Sequence, residues 1–445
     1  MIDQTDVFHG QSTVSSNEVF LLFMIRDLLK ASAVYIFASV VAGLVNFLLL
    51  PVLTRLLTPT DYGIIGILTA TIGILGAIVG MNPQLLITVR YPQLEKRELK
   101  ALISAVVPIT LLTGLVALLA LEALRLLWSD FHLPHWVLFG LAIAAILGVG
   151  QTVGLTILQM QKRPVAYTSI AIGGVLLGAI LTLTLVVGFR LDWRGKFVGD
   201  ITGMIIFGTV LIVYLFRKGY VGFSFTRGSL KEVVHYSAPL VIHALAFWAL
   251  NAQDRYFLAG MVGLEATGLY SVAYAFGNIL NLVHASVLKG YNPYFFEYAV
   301  KEEKKAKIVL ITYGYCLLSI AGLVLFIIGV KVLVPVFLGD RFTSSYIFIP
   351  WIALGYTFNA LRNIMTGYLY IAEKTRLIGG LTLVAAFLNA LLNYVLIKLY
   401  GSIGAAVATA ATFAFIAVLT TIFAVRSHPM PWATAIRSLL GGRRG

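Results

Sequence analysis

Polar and aromatic side chains recur along three apolar segments of this sequence, and they are its best candidates for chemistry. A spacing of four residues places side chains on one face of a helix. The first segment carries His243, Phe247, Asn251 and Arg255, the second Tyr270, Tyr274, Asn278, Asn281 and His284, and the third Tyr356, Asn359, Asn363, Thr366 and Tyr370. A weaker version carries Tyr35, Ser39, Gly43 and Asn46. Polar groups are costly in lipid, so these faces are expected to look into a helix bundle or a wet cavity.

Two roles suit such stripes. Hydrogen bonding between helices is the better interpretation of any single Asn or Thr. Three stripes with an arginine beside one of them favour a polar cavity, with aromatic faces suited to sugar rings.

Arg362 is the sharpest single feature, because it lies inside an apolar segment. An arginine there costs about 2.5–3.5 kcal/mol on insertion scales. We therefore expect a partner, which is either a carboxylate from another helix or an anionic ligand such as phosphate. Arg55 and Arg255 lie near the ends of two other segments, where anion binding and snorkelling to the interface are both open.

No catalytic constellation or nucleotide-binding motif occurs in the sequence, and the seven His residues lack metal-ligand spacing. The sequence therefore predicts no catalytic residue, no metal site, no cofactor and no enzyme. The single Cys316 excludes an internal disulfide. Asp200 and Glu122 lie in apolar segments. Asp254 lies near the end of one, where it can pair with an arginine. A role of these carboxylates in proton or cation coupling is left open.

Composition places the chain in the membrane. Hydrophobic residues make up 59% of the 445 and charged residues only 12%, whereas soluble domains have about 25% charged. The mean hydropathy is +0.92. The net charge of +14 then indicates basic cytoplasmic loops and anionic lipids rather than nucleic acid.

A helix needs about 20 apolar residues to cross about 30 Å of hydrocarbon. That length predicts twelve transmembrane helices, at Ala31–Leu53, Tyr62–Met81, Leu102–Trp128, Val137–Leu158, Val165–Phe189, Phe197–Phe216, Ala238–Leu258, Ala266–Val287, Ile308–Val330, Tyr346–Ile371, Ile378–Leu399 and Ser402–Ala424. Strands are excluded, because unpaired strands leave backbone groups unsatisfied in lipid.

The distribution of basic residues predicts the orientation. With the N-terminus inside, 23 of the 33 Lys and Arg residues fall in inside segments and nine in outside segments. Both termini are therefore expected in the cytoplasm. Residues 1–30 are expected to be a cytoplasmic lead-in with an amphipathic helix, since a signal peptide has its basic residues before the apolar run; Met24 is an alternative start. Residues 425–445 are expected to form a basic cytoplasmic tail.

An internal repeat divides the chain into residues 31–217 and 238–424, each with six predicted spans. Arg55 with Gly63 matches Arg255 with Gly268, and the following spans both end in Asn-Pro, at residues 82–83 and 292–293. An even number of spans makes the repeats parallel, so we expect two pseudo-twofold-related lobes around a central cavity. Residues 218–237 would be a cytoplasmic linker that lets the lobes rock.

Three pieces of the sequence carry a resemblance to a known family. They are TRLLTPTDYG (54–63), VFLGDRF (336–342) and NALLNYVLIKLYGSIGAAVATA (389–410). The chain resembles the polysaccharide-biosynthesis transporters, lipid-linked oligosaccharide flippases of O-antigen type, in the superfamily that includes the MATE exporters. The resemblance covers residues 26–424. Asn389 and Asn393 of the third piece are expected to join helices.

This resemblance implies a flippase that moves an undecaprenyl-pyrophosphate-linked repeat unit from the inner to the outer leaflet of the cytoplasmic (inner) membrane by alternating access. Arg362, Arg255 and Arg55 would meet the pyrophosphate or acidic sugars, and the stripes would face the glycan. The lipid bilayer, a glycan polymerase and chain-length machinery are the implied partners.

Two alternatives remain. A cation-coupled multidrug exporter of the same superfamily usually has an acidic residue in its first span, or one each in its seventh and tenth. The first and tenth predicted spans here have none. A membrane glycan polymerase or glycosyltransferase would need a long outer loop with catalytic residues, and the outer segments are short.

Overall fold

The computed structural model of the protein describes residues 34, 37, 40–127, 133–222 and 225–432. The described ranges contain helices and no β-strand. The α-helices are α1 (Val40–Leu56), α2 (Pro59–Ile78), α3 (Gln84–Arg90), α4 (Lys96–Leu127), α5 (His135–Met160), α6 (Pro164–Leu183), α7 (Trp193–Arg217), α8 (Arg227–Ala252), α9 (Asp254–Met261), α10 (Leu264–Tyr298), α11 (Glu302–Phe337), α12 (Ile349–Ile371), α13 (Thr375–Tyr400) and α14 (Ile403–Ser427).

Ten helices in the described ranges are long and apolar enough to cross a membrane. They are α2, α4–α8, α10, α11, α13 and α14. The described part of α1 is apolar but shorter, and the 23-residue α12 carries the polar stripe that lowers its hydropathy. The prediction of an all-α polytopic membrane protein is therefore confirmed, while the count of twelve spans stays a prediction.

The predicted linker, residues 218–237, is partly helical. Its second half is helical, because α8 begins at Arg227. Thr226 and Ser229 form a capping box, in which each side-chain oxygen accepts a hydrogen bond from the other residue's backbone N–H at 3.0 Å. Residues 218–226 connect α7 to α8. The lead-in 1–30, Tyr35, Ser39 and the tail beyond residue 432 lie outside the described residues.

The two Asn-Pro pairs do not end their helices alike, so that part of the predicted repeat is wrong. Gly80 and Asn82 have φ values of 70° and 52°, and these left-handed residues interrupt the helix between α2 and α3. By contrast, α10 runs past residues 292–293 to Tyr298, and no residue near that pair has a positive φ.

The first helix of each half packs against the other half. Phe47 of α1 contacts Phe276 of α10 and Phe337 of α11, at ring-centroid distances of 5.1 and 5.3 Å. The indole Nε1 of Trp248 on α8 donates to the carbonyl oxygen of Ala70 on α2 at 2.8 Å. The first helix of each half is therefore in direct contact with the other half in this conformation.

Helices α2 and α10 meet at the predicted outer end, and two glycines allow the approach. A Cβ atom at Gly268 would overlap the carbonyl oxygen of Pro59, and one at Gly63 would overlap that of Leu264. Small residues let helix backbones pack closely in membranes. The matched repeat glycines therefore hold the two halves together at this end.

Replacing Thr58 with alanine is expected to lower the free energy of unfolding by about 1 kcal/mol, the usual effect of a lost N-cap. Thr58 caps α2: its hydroxyl oxygen accepts from the Asp61 N–H at 3.1 Å, and its own N–H donates to the Asp61 carboxylate at 2.8 Å. Thermal unfolding in detergent, followed by size-exclusion chromatography, measures the change. Thr58→Ser keeps the hydroxyl and should behave as wild type; an alanine variant as stable as the serine variant would contradict the cap.

Candidate functional site

Arg362 on α12 has no acidic partner among the residues that the structure describes. Its Nε donates to the side-chain oxygen of Asn359 at 3.2 Å, and its Nη2 donates to that of Asn363 at 3.0 Å. Both amides belong to the same helix. No carboxylate in the described ranges forms an ion pair with Arg362. A guanidinium has five N–H donors, and two of them are used here. Arg362 therefore keeps three donors, and its positive charge, for a ligand.

Arg255 is in a different environment, because it is paired within the protein. Its Nη1 lies 3.3 Å from the carboxylate of Asp254 and donates to the carbonyl oxygen of Asn251 at 3.0 Å. The guanidinium also lies 4.4 Å from the ring centroid of Tyr274. The Tyr270 hydroxyl donates to the second oxygen of Asp254. The charge of Arg255 is therefore compensated, and this ion pair is built into the packing of α9 against α10.

Three tyrosines that the sequence predicts as cavity-lining residues are buried in this conformation. Tyr270, Tyr274 and Tyr356 are 0%, 7% and 4% exposed. The ring of Tyr274 lies 5.8 Å from that of Tyr270 and 5.6 Å from that of Tyr356. Helix α10 packs between α2 and α12, so its neighbours cover the face that carries these rings.

His284 and Thr366, which the sequence also predicts as cavity-lining residues, are both buried in this conformation. The Nδ1 of His284 lies 3.2 Å from the hydroxyl of Tyr315, which places the imidazole against α11. The Thr366 hydroxyl donates to the carbonyl oxygen of Arg362 within its own helix. Both side chains serve packing within the second half.

The other predicted residues keep accessible surface. On α10, the Asn281 amide donates to the side-chain oxygen of Asn278 at 3.1 Å, and both residues are partly buried. On α8, His243 is exposed, and the Asn251 amide donates to its own helix. Arg55 is exposed at the predicted outer end, where its Nη2 donates to the carbonyl oxygen of Val336 at 2.9 Å. Arg55 thus contacts the end of α11, whereas Arg362 contacts two asparagines of its own helix.

A cavity in the first half was missed by the sequence analysis. It measures about 370 Å³ and lies between α1, α2, α5, α6 and α7. We call it the N-half cavity; its polar lining residues are Asn46, Thr69, Gln151, Lys196 and Asp200. Lys196 donates to Asp200 four residues later. That spacing, and a glutamine inside an apolar helix, were the signals in the sequence that could have found it.

The two halves also touch at the predicted cytoplasmic end. Arg90, which follows the break after α2, donates from Nε to the carboxylate of Glu232 on α8 at 2.7 Å. Both side chains are about one third exposed. An ion pair therefore joins the halves at this end beside apolar packing of Val233, and a close backbone contact at Gly63 and Gly268 joins them at the other.

Comparisons with known proteins agree with this architecture. A family model described as polysaccharide biosynthesis protein matches residues 28–299, more than half of the chain. A protein of the Lsg locus of Haemophilus influenzae is 24% identical over 356 residues, which cover 78% of this chain and 86% of that protein. An uncharacterized membrane protein of the same organism is also 24% identical, over 359 residues that cover 79% of this chain and 85% of that protein.

Two solved structures share the fold. An inward-facing MATE multidrug resistance transporter of the MOP superfamily has a TM-score of 0.64 at 14% identity, and the match covers 91% of this chain and 96% of that one. The lipid II flippase MurJ, in an inward closed conformation, has a TM-score of 0.62 at 13% identity, with coverages of 93% and 92%. These two proteins use one fold for drug export and for lipid transport. The fold therefore does not identify the molecule that this chain transports, which must be argued from the site.

Proposed function

Because this chain belongs to the polysaccharide biosynthesis protein family and has a membrane transporter fold, we propose that it is a flippase for a lipid-linked glycan. The proposed substrate is a polyprenyl-pyrophosphate-linked oligosaccharide, such as an undecaprenyl-linked repeat unit. It would move from the inner to the outer leaflet of the cytoplasmic membrane by alternating access, for surface polysaccharide biosynthesis.

The observation that carries the proposal is the charge of Arg362, which forms no ion pair with any carboxylate in the described part of the chain. A charge held inside a span without an acidic partner is costly, and such residues mark substrate or ion pathways. Guanidinium forms two parallel hydrogen bonds with a phosphate group, whose charge would offset its own. Asn359 and Asn363 hold the side chain along its own helix without neutralising it. A pyrophosphate head group fits this arrangement.

The contacts between the halves are compatible with alternating access. A partly exposed ion pair is worth about 0–1 kcal/mol, so separating Arg90 from Glu232 would take little free energy. At the other end, the backbone contact at Gly63 and Gly268 would have to part. The lipid tail can stay in the bilayer, so only the polar head group needs a path between the halves.

The proposal includes the predicted arrangement in the membrane. Residues 31–217 and 238–424 would be the two moving lobes, tethered by residues 218–237, with both termini in the cytoplasm. A glycan polymerase and chain-length machinery would act on the flipped product. The protein itself would bind and move its substrate without catalysing a reaction.

Deleting the gene is expected to accumulate the lipid-linked glycan on the inner leaflet and to remove the surface glycan. Mass spectrometry of extracted polyprenyl lipids measures the accumulation, and enzymatic labelling of the sugar in intact spheroplasts reports the leaflet. A plasmid copy of the wild-type gene should reverse both effects. Unchanged lipids with an intact surface glycan would overturn the proposal, and increased drug sensitivity in that strain would favour the exporter.

A further inference from the structure

Within the proposed function, and resting on it, we infer that the N-half cavity is a subsite for uncharged, hydroxyl-bearing sugar residues of the transported glycan. The pyrophosphate would bind at Arg362 in the other half. The two halves would then recognise different chemical parts of one substrate.

The size of the cavity suits a small polar group. Its volume of about 370 Å³ lies in the usual range of about 300–1,000 Å³ for ligand pockets. Five helices contribute to its wall, and most of the lining is apolar, with few polar side chains among it. Ligand sites are commonly built in this way, because a few polar groups orient a ligand that apolar groups enclose.

The charge of the cavity argues against an ionic ligand. Lys196 and Asp200 form an ion pair, so the wall carries no net charge at this point. The Lys196 side chain is 12% exposed and that of Asp200 is 43% exposed, so the carboxylate is the partner that faces open space. A phosphate would meet this carboxylate, and a metal cation would compete with an ammonium group that is already bound. A neutral ligand with hydroxyl groups meets neither obstacle.

Hydrogen-bonding capacity in the cavity matches such a ligand. The Gln151 amide makes no hydrogen bond with any residue in the described part of the chain, so its donors and acceptor are free. Asn46 uses its amide N–H₂ to donate to Ala42 at 3.2 Å, which leaves the side-chain oxygen. The Thr69 hydroxyl donates to Ile65 at 2.8 Å and can still accept. Amides, a hydroxyl and a carboxylate together can donate to and accept from sugar hydroxyls.

A role in helix packing alone does not account for these groups. Polar side chains that join helices satisfy one another across an interface. Among the described residues, Asn46 and Thr69 bond only to their own helices, and the ion pair lies within α7. Polar groups at membrane depth need a partner, because lipid offers none. Water or a polar ligand in the cavity meets that need.

The test compares two probes on purified protein in detergent. One probe is the lipid-linked glycan fraction purified from the deletion strain, and the other is undecaprenyl pyrophosphate without sugar. Gln151→Leu and Thr69→Val each remove a polar group from the cavity without changing its charge, and each is expected to raise the Kd for the glycan lipid about tenfold, the effect of losing one well-placed hydrogen bond. The Kd for undecaprenyl pyrophosphate should stay within about twofold of wild type by the same reasoning.

Gln161→Leu is the matched control, because it removes a glutamine amide outside the cavity. Gln161 bonds to Tyr214 and Tyr220 near the predicted cytoplasmic end, at 2.9 and 2.8 Å. It should leave both Kd values unchanged, and thermal unfolding of each variant shows whether it folds. Unchanged binding of both probes by the two cavity variants, or equal weakening of both probes, overturns the inference and leaves the flippase proposal standing. If the wild-type protein binds neither probe, the proposed function fails and the inference fails with it.

Discussion

Replacing Asp254 with alanine is expected to lower the free energy of unfolding by about 3–5 kcal/mol, the usual effect of removing one partner of a buried ion pair. The side chains of Asp254 and Arg255 are 3% and 12% exposed. In the variant, the Arg255 guanidinium would keep its charge in the packed interior without a counter-charge. Its contact with the ring of Tyr274 would remain but would replace only part of the lost attraction.

The same substitution also breaks a second interaction. The Tyr270 hydroxyl donates to Asp254 and lies 3.4 Å from the Thr409 hydroxyl of α14. Without the carboxylate, that fully buried hydroxyl loses its main acceptor, and unsatisfied buried donors are destabilising. The effect of Asp254→Ala should therefore extend from α9 to the packing of α10 against α14.

Thermal and denaturant unfolding in detergent can test this expectation against two controls. Asp254→Asn keeps an acceptor for Tyr270 and should fall between alanine and wild type. The double variant Asp254→Leu with Arg255→Met replaces the pair by apolar groups, which is often neutral or better. It should recover much of the stability. An alanine variant as stable as wild type would show that the ion pair does not stabilise this fold.

The sequence was sufficient to predict the class of protein and the position of its helices. Hydropathy decides these, because lipid requires every backbone group to be paired within a helix. The boundaries were less accurate where side-chain caps act, as at Thr226, which begins α8 inside the predicted linker. A capping box is a short local signal that a hydropathy window averages away.

The site was harder to predict, since periodicity tells which residues share a face but not what covers it. Tyr270 and Asn278 lie on one predicted stripe of α10. Yet Tyr270 is fully buried, whereas Asn278 keeps accessible surface. The difference comes from the helices that pack on each level of α10, which no local pattern reports. The N-half cavity was missed for the same reason, because its polar groups come from four different helices.

The strongest resemblance lies in a structural motif, which explains why it indicates the family better than the substrate. Asn389 and Asn393 are buried, at 1% and 0% exposure. The Asn389 amide donates to Thr412 of α14 at 3.2 Å, and its oxygen accepts from Gln253 at 2.8 Å. Asn389 therefore joins helices as expected, whereas the Asn393 amide donates to the backbone and side-chain oxygens of Asn389 within α13. A motif that holds α13 against α14 can persist while the cavity side chains change.

Replacing Arg362 with alanine is expected to reduce transport at least about a hundredfold, because two charge-assisted hydrogen bonds to the pyrophosphate would be lost. The stability of the protein should not fall. The guanidinium has no acidic partner in the described ranges, so its removal leaves no carboxylate unpaired and relieves a cost of about 2.5–3.5 kcal/mol. Arg362→Ala is thus expected to lower transport without lowering stability, whereas Asp254→Ala is expected to lower the stability of the fold.

The measurement is surface glycan restored to the deletion strain by each variant, together with the amount and thermal stability of the protein in the membrane. Arg362→Lys keeps the charge but loses the fork of donors, so an intermediate activity is expected. Arg376→Ala is the matched control, since it removes an exposed arginine from the same half. Normal transport by a stably expressed Arg362→Ala protein would rule out the phosphate role. Loss of both transport and stability would instead make Arg362 a structural residue, and its amide partners on α12 would then have to be interpreted in the same way.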